Sequence, residues 1–352
     1  MHKSTVQNIL LLVVTLIILL TSLEISSRTF FPQTTNFYQY DSDYLFSYRP
    51  GAEYMYVRPD INVKSVFNSE GLRDNERDYY KKSNKPRILF LGDSMVAGLE
   101  VKLNDTFVKL IETKLRGKFE VLSAGVSGWS TEQQLLFLEK KGLEYKPDVV
   151  ILAYYVGNDQ IDNVVRQIFT YDSKELSVNQ KRPLSETRVR SLFYFFTSYS
   201  HAFNFFFWHL KDLFKQSETK YSDPFVEYIK NEDTKERDYS WNKTFALLDR
   251  MNEDLTAKNI SFVLLTIPDR LQVDINLRKK AELKENELVL DKPQQKLINY
   301  ATSRKIKYVD LLPPLKSNFS NSLYYKEDIH WLEPGHSLVA EEILKRLEIL
   351  SS

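Results

Sequence analysis

Pro86-Arg87-Ile88-Leu89-Phe90-Leu91-Gly92-Asp93-Ser94-Met95-Val96-Ala97-Gly98 is the stretch that decides the fold of this 352-residue chain. The apolar run from Ile88 to Leu91 is continuous rather than alternating, which predicts a strand covered on both faces, as in a parallel sheet between helical layers. Gly92 offers a permissive backbone for a sharp exit. A helical pattern resumes at Asn104 to Leu115. Ser94 is therefore expected near the carboxyl end of a parallel strand, the edge at which open α/β sheets bind ligands. Alone, Gly-Asp-Ser is a weak signal, because turns favour all three residues for their own reasons.

Outward from this stretch the same alternation repeats. Strands are expected at 87–91, 119–123, 148–154, 260–267 and 306–309, and helices at 104–115, 131–143, 241–257, 293–303 and 334–347. Pro147 and Pro268 punctuate strand ends. Such units build an α/β fold, a three-layer, doubly wound, five-stranded parallel sheet with right-handed crossovers. Between Asp159 and Trp241 the alternation breaks for ~80 residues, far more than the usual connection. Leu192-Phe193-Tyr194-Phe195-Phe196 and Phe203 to Trp208 are strongly aromatic there, whereas Ser198, Ser200, His201 and Asn204 spoil a second membrane span. This insertion, 160–240, is read as a helical cap on the core. A membrane-skimming or substrate-gripping surface is the alternative. The charged stretch Lys211 to Arg237 reads as solvated.

The amino terminus is of another kind. Ile9 to Leu23 is apolar apart from Thr15, Thr21 and Ser22, with Lys3 before it and Glu24 and Arg28 after it. Its length falls short of the ~20 residues that cross a hydrocarbon core, so a secretory signal competes with an anchor. No small-x-small cleavage site is convincing, since Glu24 or Ile25 occupies the outer position. The expectation is a single-pass anchor at 1–30 with its amino terminus in the cytoplasm and the remainder outside, a secreted form being the alternative. Residues 31–84 read as a linker and a wrapping segment, too rich in tyrosine for a free tether. Within it Asn68-Ser69-Glu70-Gly71 is a turn, and Arg73 reads as a structural surface residue. The main domain is expected at 85–350.

A formal net charge of +1, without a dense basic block, argues against nucleic acid as a partner. Absence of cysteine removes disulfides, thiol nucleophiles and thiolate ligands. Five histidines without metal-ligand spacing give no metal site.

Three further groups fall at the ends of the expected strands or in the loops that follow. These are Ser123-Ala124-Gly125-Val126-Ser127-Gly128, Gly157-Asn158-Asp159 and Glu327-Asp328-Ile329-His330-Trp331, the last shortly before Pro334-Gly335. Singly, each has a structural explanation: turn glycines, a helix cap at Asn158, a loop histidine at His330. Jointly they supply a nucleophile, a base, an orienting acid and donors for an oxyanion, which is what acyl transfer by serine requires.

With these residues in place, the chain resembles the SGNH, or GDSL-type, hydrolase superfamily over 85–347. Gly92-Asp93-Ser94-Met95 is similar to the first block, Gly125 to the second, Gly157-Asn158-Asp159 to the third and Asp328-Ile329-His330 to the last. Asn68 to Arg73 is similar to a segment that precedes the first strand in membrane-anchored members. The resemblance implies the flavodoxin-like SGNH fold, Ser94 as nucleophile, His330 as general base and Asp328 as the orienting acid. It also implies an oxyanion hole from the backbone N–H groups of Ser94 and Gly125 with the Asn158 side-chain amide, and no cofactor. Two departures stand out: Ser123 replaces a common asparagine, and the acid lies two residues before His330 where three is commoner, with Glu327 at that third position. An extended segment puts residues two apart on one side, which favours Asp328 over Glu327. The implied function is ester hydrolysis of a small-molecule or glycan O-acyl substrate. Alternatives are an O-acyltransferase acting on a cell-surface glycan and a catalytically silent, membrane-tethered binding protein. A nucleotide-binding Rossmann domain is disfavoured, because no G-x-G-x-x-G follows the first strand.

Overall fold

A computed structural model describes residues 3–33, 35–58, 61–78, 84–115, 117–179, 184–213, 224–320, 322–326 and 328–351. The chain begins with α1 (Lys3–Phe30) and then runs β1 (Arg87–Gly92), α2 (Ser94–Ala97), α3 (Phe107–Lys114), β2 (Glu120–Gly125), α4 (Thr131–Lys140), β3 (Val149–Tyr155) and α5 (Asp159–Val165). It continues with α6 (Leu184–Tyr199), α7 (His201–Leu213), α8 (Lys235–Thr256), β4 (Ser261–Ile267), α9 (Lys292–Arg304), β5 (Lys307–Asp310) and α10 (Glu333–Ser351). Contacts divide it into two units, Met1–Arg49 with Arg182–Lys220, and Pro50–Lys181 with Tyr221–Ser352.

The larger unit is built on the five strands in the order β2-β1-β3-β4-β5, every neighbouring pair parallel. Each strand matches its sequence expectation to within two residues at either end. This is the doubly wound order in which the connection reverses direction beside the first strand. The continuous run in β1 has its physical reason here. Ile88 and Phe90 pack into a cluster with Phe107, Val108 and Ile111 of α3 and Val339, Ala340 and Ile343 of α10, while Leu89 and Leu91, which point the other way, are buried as well. α3 begins later than its pattern because residues 103–105 form a 3₁₀ turn and Thr106 caps the helix through Lys109 N. α8 begins earlier, capped by Thr234, with Glu236 and Asp238 in its first turn where the helix dipole favours acids.

The segment read as one linker is shared between the units. An antiparallel hairpin of Tyr38–Asp41 and Leu45–Tyr48 belongs to the smaller one, and a second, of Glu53–Arg58 and Ile61–Val66, to the larger. Arg73 is structural as expected but lies inside, not at the surface, 1% exposed. Its guanidinium donates to the carbonyl oxygens of Ala97 (2.8 Å), Gly98 and Val101 (2.6 Å), which fixes the chain leaving α2. A buried cation is tolerated when it finds acceptors, and three carbonyls supply them to its terminal nitrogens here.

In the smaller unit α1 is longer than its apolar core suggests. Thr15 and Thr29 hydroxyls donate to the carbonyls of Leu11 and Ile25, both at 2.8 Å, so these polar residues cost the helix little. Ser4–Phe30 is long and apolar enough to cross a membrane, an 18-residue window within it having a mean hydropathy of 2.6. The insertion contributes α6 and α7, which meet through ring contacts such as Phe196 with Phe203 at 5.4 Å. These helices group with α1. Glu24 accepts from Ser200 Oγ (2.7 Å) and from the N–H groups of His201 (3.0 Å) and Ala202 (3.1 Å), closing the start of α7, and Arg28 donates to Tyr199 O at 2.6 Å. Of the stretch Lys211 to Arg237, residues 214–223 lie outside the described residues. Arg237 itself is buried and donates to the Glu227 carbonyl, contrary to a solvated reading.

Candidate active site

β1 ends at Gly92, Asp93 caps α2 by accepting from Met95 N (2.9 Å), and Ser94 is the first residue of that short helix. Gly92 is needed for space and not for a left-handed backbone, since a Cβ there would lie 2.3 Å from Val96 Cγ2. Gly125, opposite Gly92 in the β1–β2 ladder, is in the same position: its Cβ would meet Ala97 N at 2.5 Å. The two glycines let α2 sit directly on the sheet edge, and with it Ser94. Gly125→Ala is therefore expected to lower the unfolding free energy by ~1–3 kcal/mol, the usual cost of overpacking. Urea unfolding checks this, and an unchanged midpoint would show that α2 has room to spare.

The histidine block lies in a loop between β5 and α10. Tyr324 and Trp331 form an isolated antiparallel bridge, and Leu332 N donates to Leu323 O at 2.9 Å, so the loop closes on itself. Arg270, just after β4, donates from one nitrogen to the carbonyls of Tyr325 (2.5 Å) and Asp328 (2.7 Å). Residues 328–330 form a bend rather than the extended segment that the sequence suggested. The bend lets one carboxylate oxygen, Asp328 Oδ1, accept from both His330 N (3.1 Å) and His330 Nδ1 (2.5 Å), a local aspartate turn. Asp328 Oδ2 accepts from Tyr56 OH at 3.2 Å. His330 Nε2 lies 2.8 Å from Ser94 Oγ. Ser94, His330 and Asp328 thus form one hydrogen-bonded chain. Glu327 lies outside the described residues.

Asn158 occupies the N-cap position of α5 but makes no capping bond, and its Oδ1 is buried without a hydrogen-bond partner. The helix-cap explanation for this residue therefore does not apply. Its side chain is near Asp93, whose carboxyl it helps to hold down. The neighbouring Asp159 has the structural duty, accepting from Tyr155 N at 2.7 Å.

Three residues of the site had no clear signal in the sequence. Tyr56 was one aromatic among many, and Arg270 one cation after a strand. Glu100 is the most informative: it is 3% exposed, its Oε1 lies 3.4 Å from His330 Nδ1 and its Oε2 has no hydrogen-bond partner. An acid embedded in the apolar stretch from Met95 to Val101 is the pattern that could have marked it.

The electrostatics follow from burial and these carboxylates. For His330, burial opposes the charged ring, but Glu100, then the hydrogen bond and charge of Asp328, and Asp93 outweigh it and raise its pKa to about 9. Burial likewise pushes Asp328 up, yet the hydrogen bond and charge of His330 win and hold it well below the ordinary carboxylate range. Glu100 is raised by burial. Burial also raises Asp93, to about 6, against the bond from Met95 N. The other histidine nearby, His336, is buried, accepts from Phe107 N (3.2 Å) and is depressed to about 3, first by burial and then by Arg73 and His330. It is a neutral packing residue. Among the described residues no group of three or more histidine, aspartate or glutamate side chains is placed to hold a metal ion.

The doubly wound parallel sheet carries its Gly-Asp-Ser turn at the edge to which the histidine loop returns, the α/β arrangement expected of an SGNH-like fold. Residues 227–350, which include the histidine loop, match the family ALGX, described as "SGNH hydrolase-like domain, acetyltransferase AlgX". No curated protein matches the chain. Similar solved structures include TesA, 13% identical over 75% of this chain and 99% of that one, with a TM-score of 0.42. An acetyl xylan esterase is 15% identical over 74% and 98%, with a TM-score of 0.42. A lipase/acylhydrolase from Enterococcus faecalis is 12% identical over 74% and 95%, with a TM-score of 0.40.

Proposed function

We propose that the chain is a serine-dependent acyl-transfer enzyme that cleaves an O-acyl ester, with water as the basic acceptor. The single observation that carries this is the hydrogen-bonded chain from Ser94 Oγ through His330 to Asp328. Ser94 Oγ attacks the acyl carbon while His330 Nε2 takes its proton, and Nδ1–H donates to Asp328, which fixes the tautomer. His330 returns the proton to the departing alkoxide. It then deprotonates the acceptor that attacks the acyl-enzyme and gives that proton to Ser94 Oγ as the acyl–serine bond breaks. The backbone N–H groups of Ser94 and Gly125 and the amide of Asn158 are assigned to the developing oxyanion. The soluble test is turnover of p-nitrophenyl acetate by the wild-type chain; a folded protein without turnover and without fluorophosphonate labelling would overturn the reading.

A second acceptor is favoured by one observation, the match of 227–350 to a family described as an acetyltransferase. A sugar hydroxyl that binds beside the acyl-enzyme would outcompete water. Incubating the enzyme with the acetyl donor and a polysaccharide, then counting acetate released against acetyl groups on the glycan, separates the two. Membrane anchoring through α1, with the site outside the cytoplasm, belongs to the same proposal and is supported by the length and hydropathy of that helix.

The pH dependence follows from His330. A general base works only when neutral, and a ring held near pKa 9 becomes neutral as pH rises through that value. kcat/KM should climb across neutral pH and level off above about 9. Glu100→Gln removes the carboxylate that most raises His330, so the rising limb should move to lower pH and activity at pH 7 should increase. A limb that stays in place would show that Glu100 does not act on the base.

A further inference from the structure

We infer that the α6–α7 hairpin lies in the membrane interface beside α1, and that lipid acyl chains fill the apolar groove which these three helices enclose. This rests on the reading of α1 as an anchor. The groove measures about 730 Å³ and is lined on α1 by Leu20, Leu23 and Ile25 and on the hairpin by Phe196, Phe203 and Phe207.

Position identifies the occupant. A hydrocarbon core takes ~20 residues of helix, so one entered at Ser4 is left near Leu23. The groove, from Leu20 to Arg28, straddles that boundary. No part of the apolar window of α1 is buried by protein, and hydrocarbon is what can cover it. The groove continues the same surface. Its charged side chains are already engaged: Glu24 takes three donors from the start of α7, and Arg28 bonds Glu24 and the Tyr199 carbonyl. These leave no unpaired carboxylate on the groove wall to exclude a lipid tail. At the groove Phe195 and Tyr199 of α6 and Phe206 and Leu210 of α7 are between 47% and 57% exposed. A contiguous apolar face of this kind is unusual in water and suits the headgroup and acyl boundary, where aromatic rings concentrate.

The chain has no cysteine, so single labels can be placed without background. Full-length Leu16→Cys, Phe195→Cys, Phe206→Cys and Lys118→Cys variants, labelled with an environment-sensitive dye, are reconstituted into phosphatidylethanolamine and phosphatidylglycerol vesicles. The vesicles carry nitroxide quenchers at shallow or deep acyl positions. Labels at 195 and 206 should be quenched best by the shallow nitroxide, the label at 16 best by the deep one, and the label at 118 by neither. Quenching at 16 alone would overturn the inference and keep the anchor. Quenching nowhere would overturn the anchor and the inference with it. Labels at 195 and 206 that are shielded from nitroxide but cross-link between copies would give the groove to a second chain and overturn the inference.

Discussion

Ser94→Ala is expected to lower kcat/KM on short esters by ~10⁴–10⁶, the scale at which removal of a serine nucleophile removes the whole coupled unit and leaves only binding and oxyanion stabilisation. The substitution deletes one oxygen from the first residue of α2, in a position where Asp93 and not Ser94 caps the helix. Stability should therefore be nearly unchanged. A fluorophosphonate probe should label the wild-type chain and not the variant. Equal labelling of both, with circular dichroism showing both folded, would place the nucleophile elsewhere.

Asp328→Asn is expected to cost about 10⁴ in kcat, because an amide can donate to His330 Nδ1 and so favour the wrong tautomer. Two details bear on the size. Tyr56 and the Arg270-bound carbonyls keep the loop in place without the charge, so the loss should be chemical and not structural. Glu100, 3.4 Å from Nδ1, is a second carboxylate that can take over part of the orienting role. The double variant Asp328→Asn with Glu100→Gln should then be worse than Asp328→Asn alone, although Glu100→Gln by itself raises activity at pH 7. That reversal of sign is a coupling which independent sites would not show. Glu327→Gln should have a small effect. A larger loss at Glu327 than at Asp328 would mean that the three-residue spacing operates.

The sheet was legible because its signal is local. Continuous apolar runs such as Ile88 to Leu91, bounded by glycine or proline, leave little choice once both faces are covered. The Ser94 and Asn158 blocks were legible because each sits where a strand ends, and a parallel sheet collects its strand ends on one edge; the His330 block lies past β5 and a further short helix, Leu312–Ser317, and was legible only by its likeness to the last family block. What could not be read depends on distance along the chain. Glu100 meets His330 only after the loop folds back by 230 residues, and Tyr56 reaches Asp328 across 272. No periodicity records such a meeting. Arg73 looked like a surface residue because arginine usually is one; only the three carbonyls from the end of α2 onward explain its burial. The bend at 328–330 was missed for a smaller reason: a single aspartate accepting two nitrogens of the same histidine is a turn that composition does not announce.

The carboxylate of Glu24 has a practical bearing on where the chain can be shortened. Deleting everything through Arg28, the obvious route to a soluble form, also takes away the acceptor for Ser200 Oγ and for the first N–H groups of α7. The hairpin would be kept and its cap discarded, with its aromatic faces left to find one another in the expression host. Cutting at 85 does different damage, since Arg73 departs with its carbonyl bonds, and Asp74 with its bond from Ser123 N. The seam lies instead at Pro50, provided that 182–220 is replaced by a short polar bridge, because the unit so defined retains every residue of the candidate site. Crystallisation, inhibitor screening and mutational kinetics are best begun from that form.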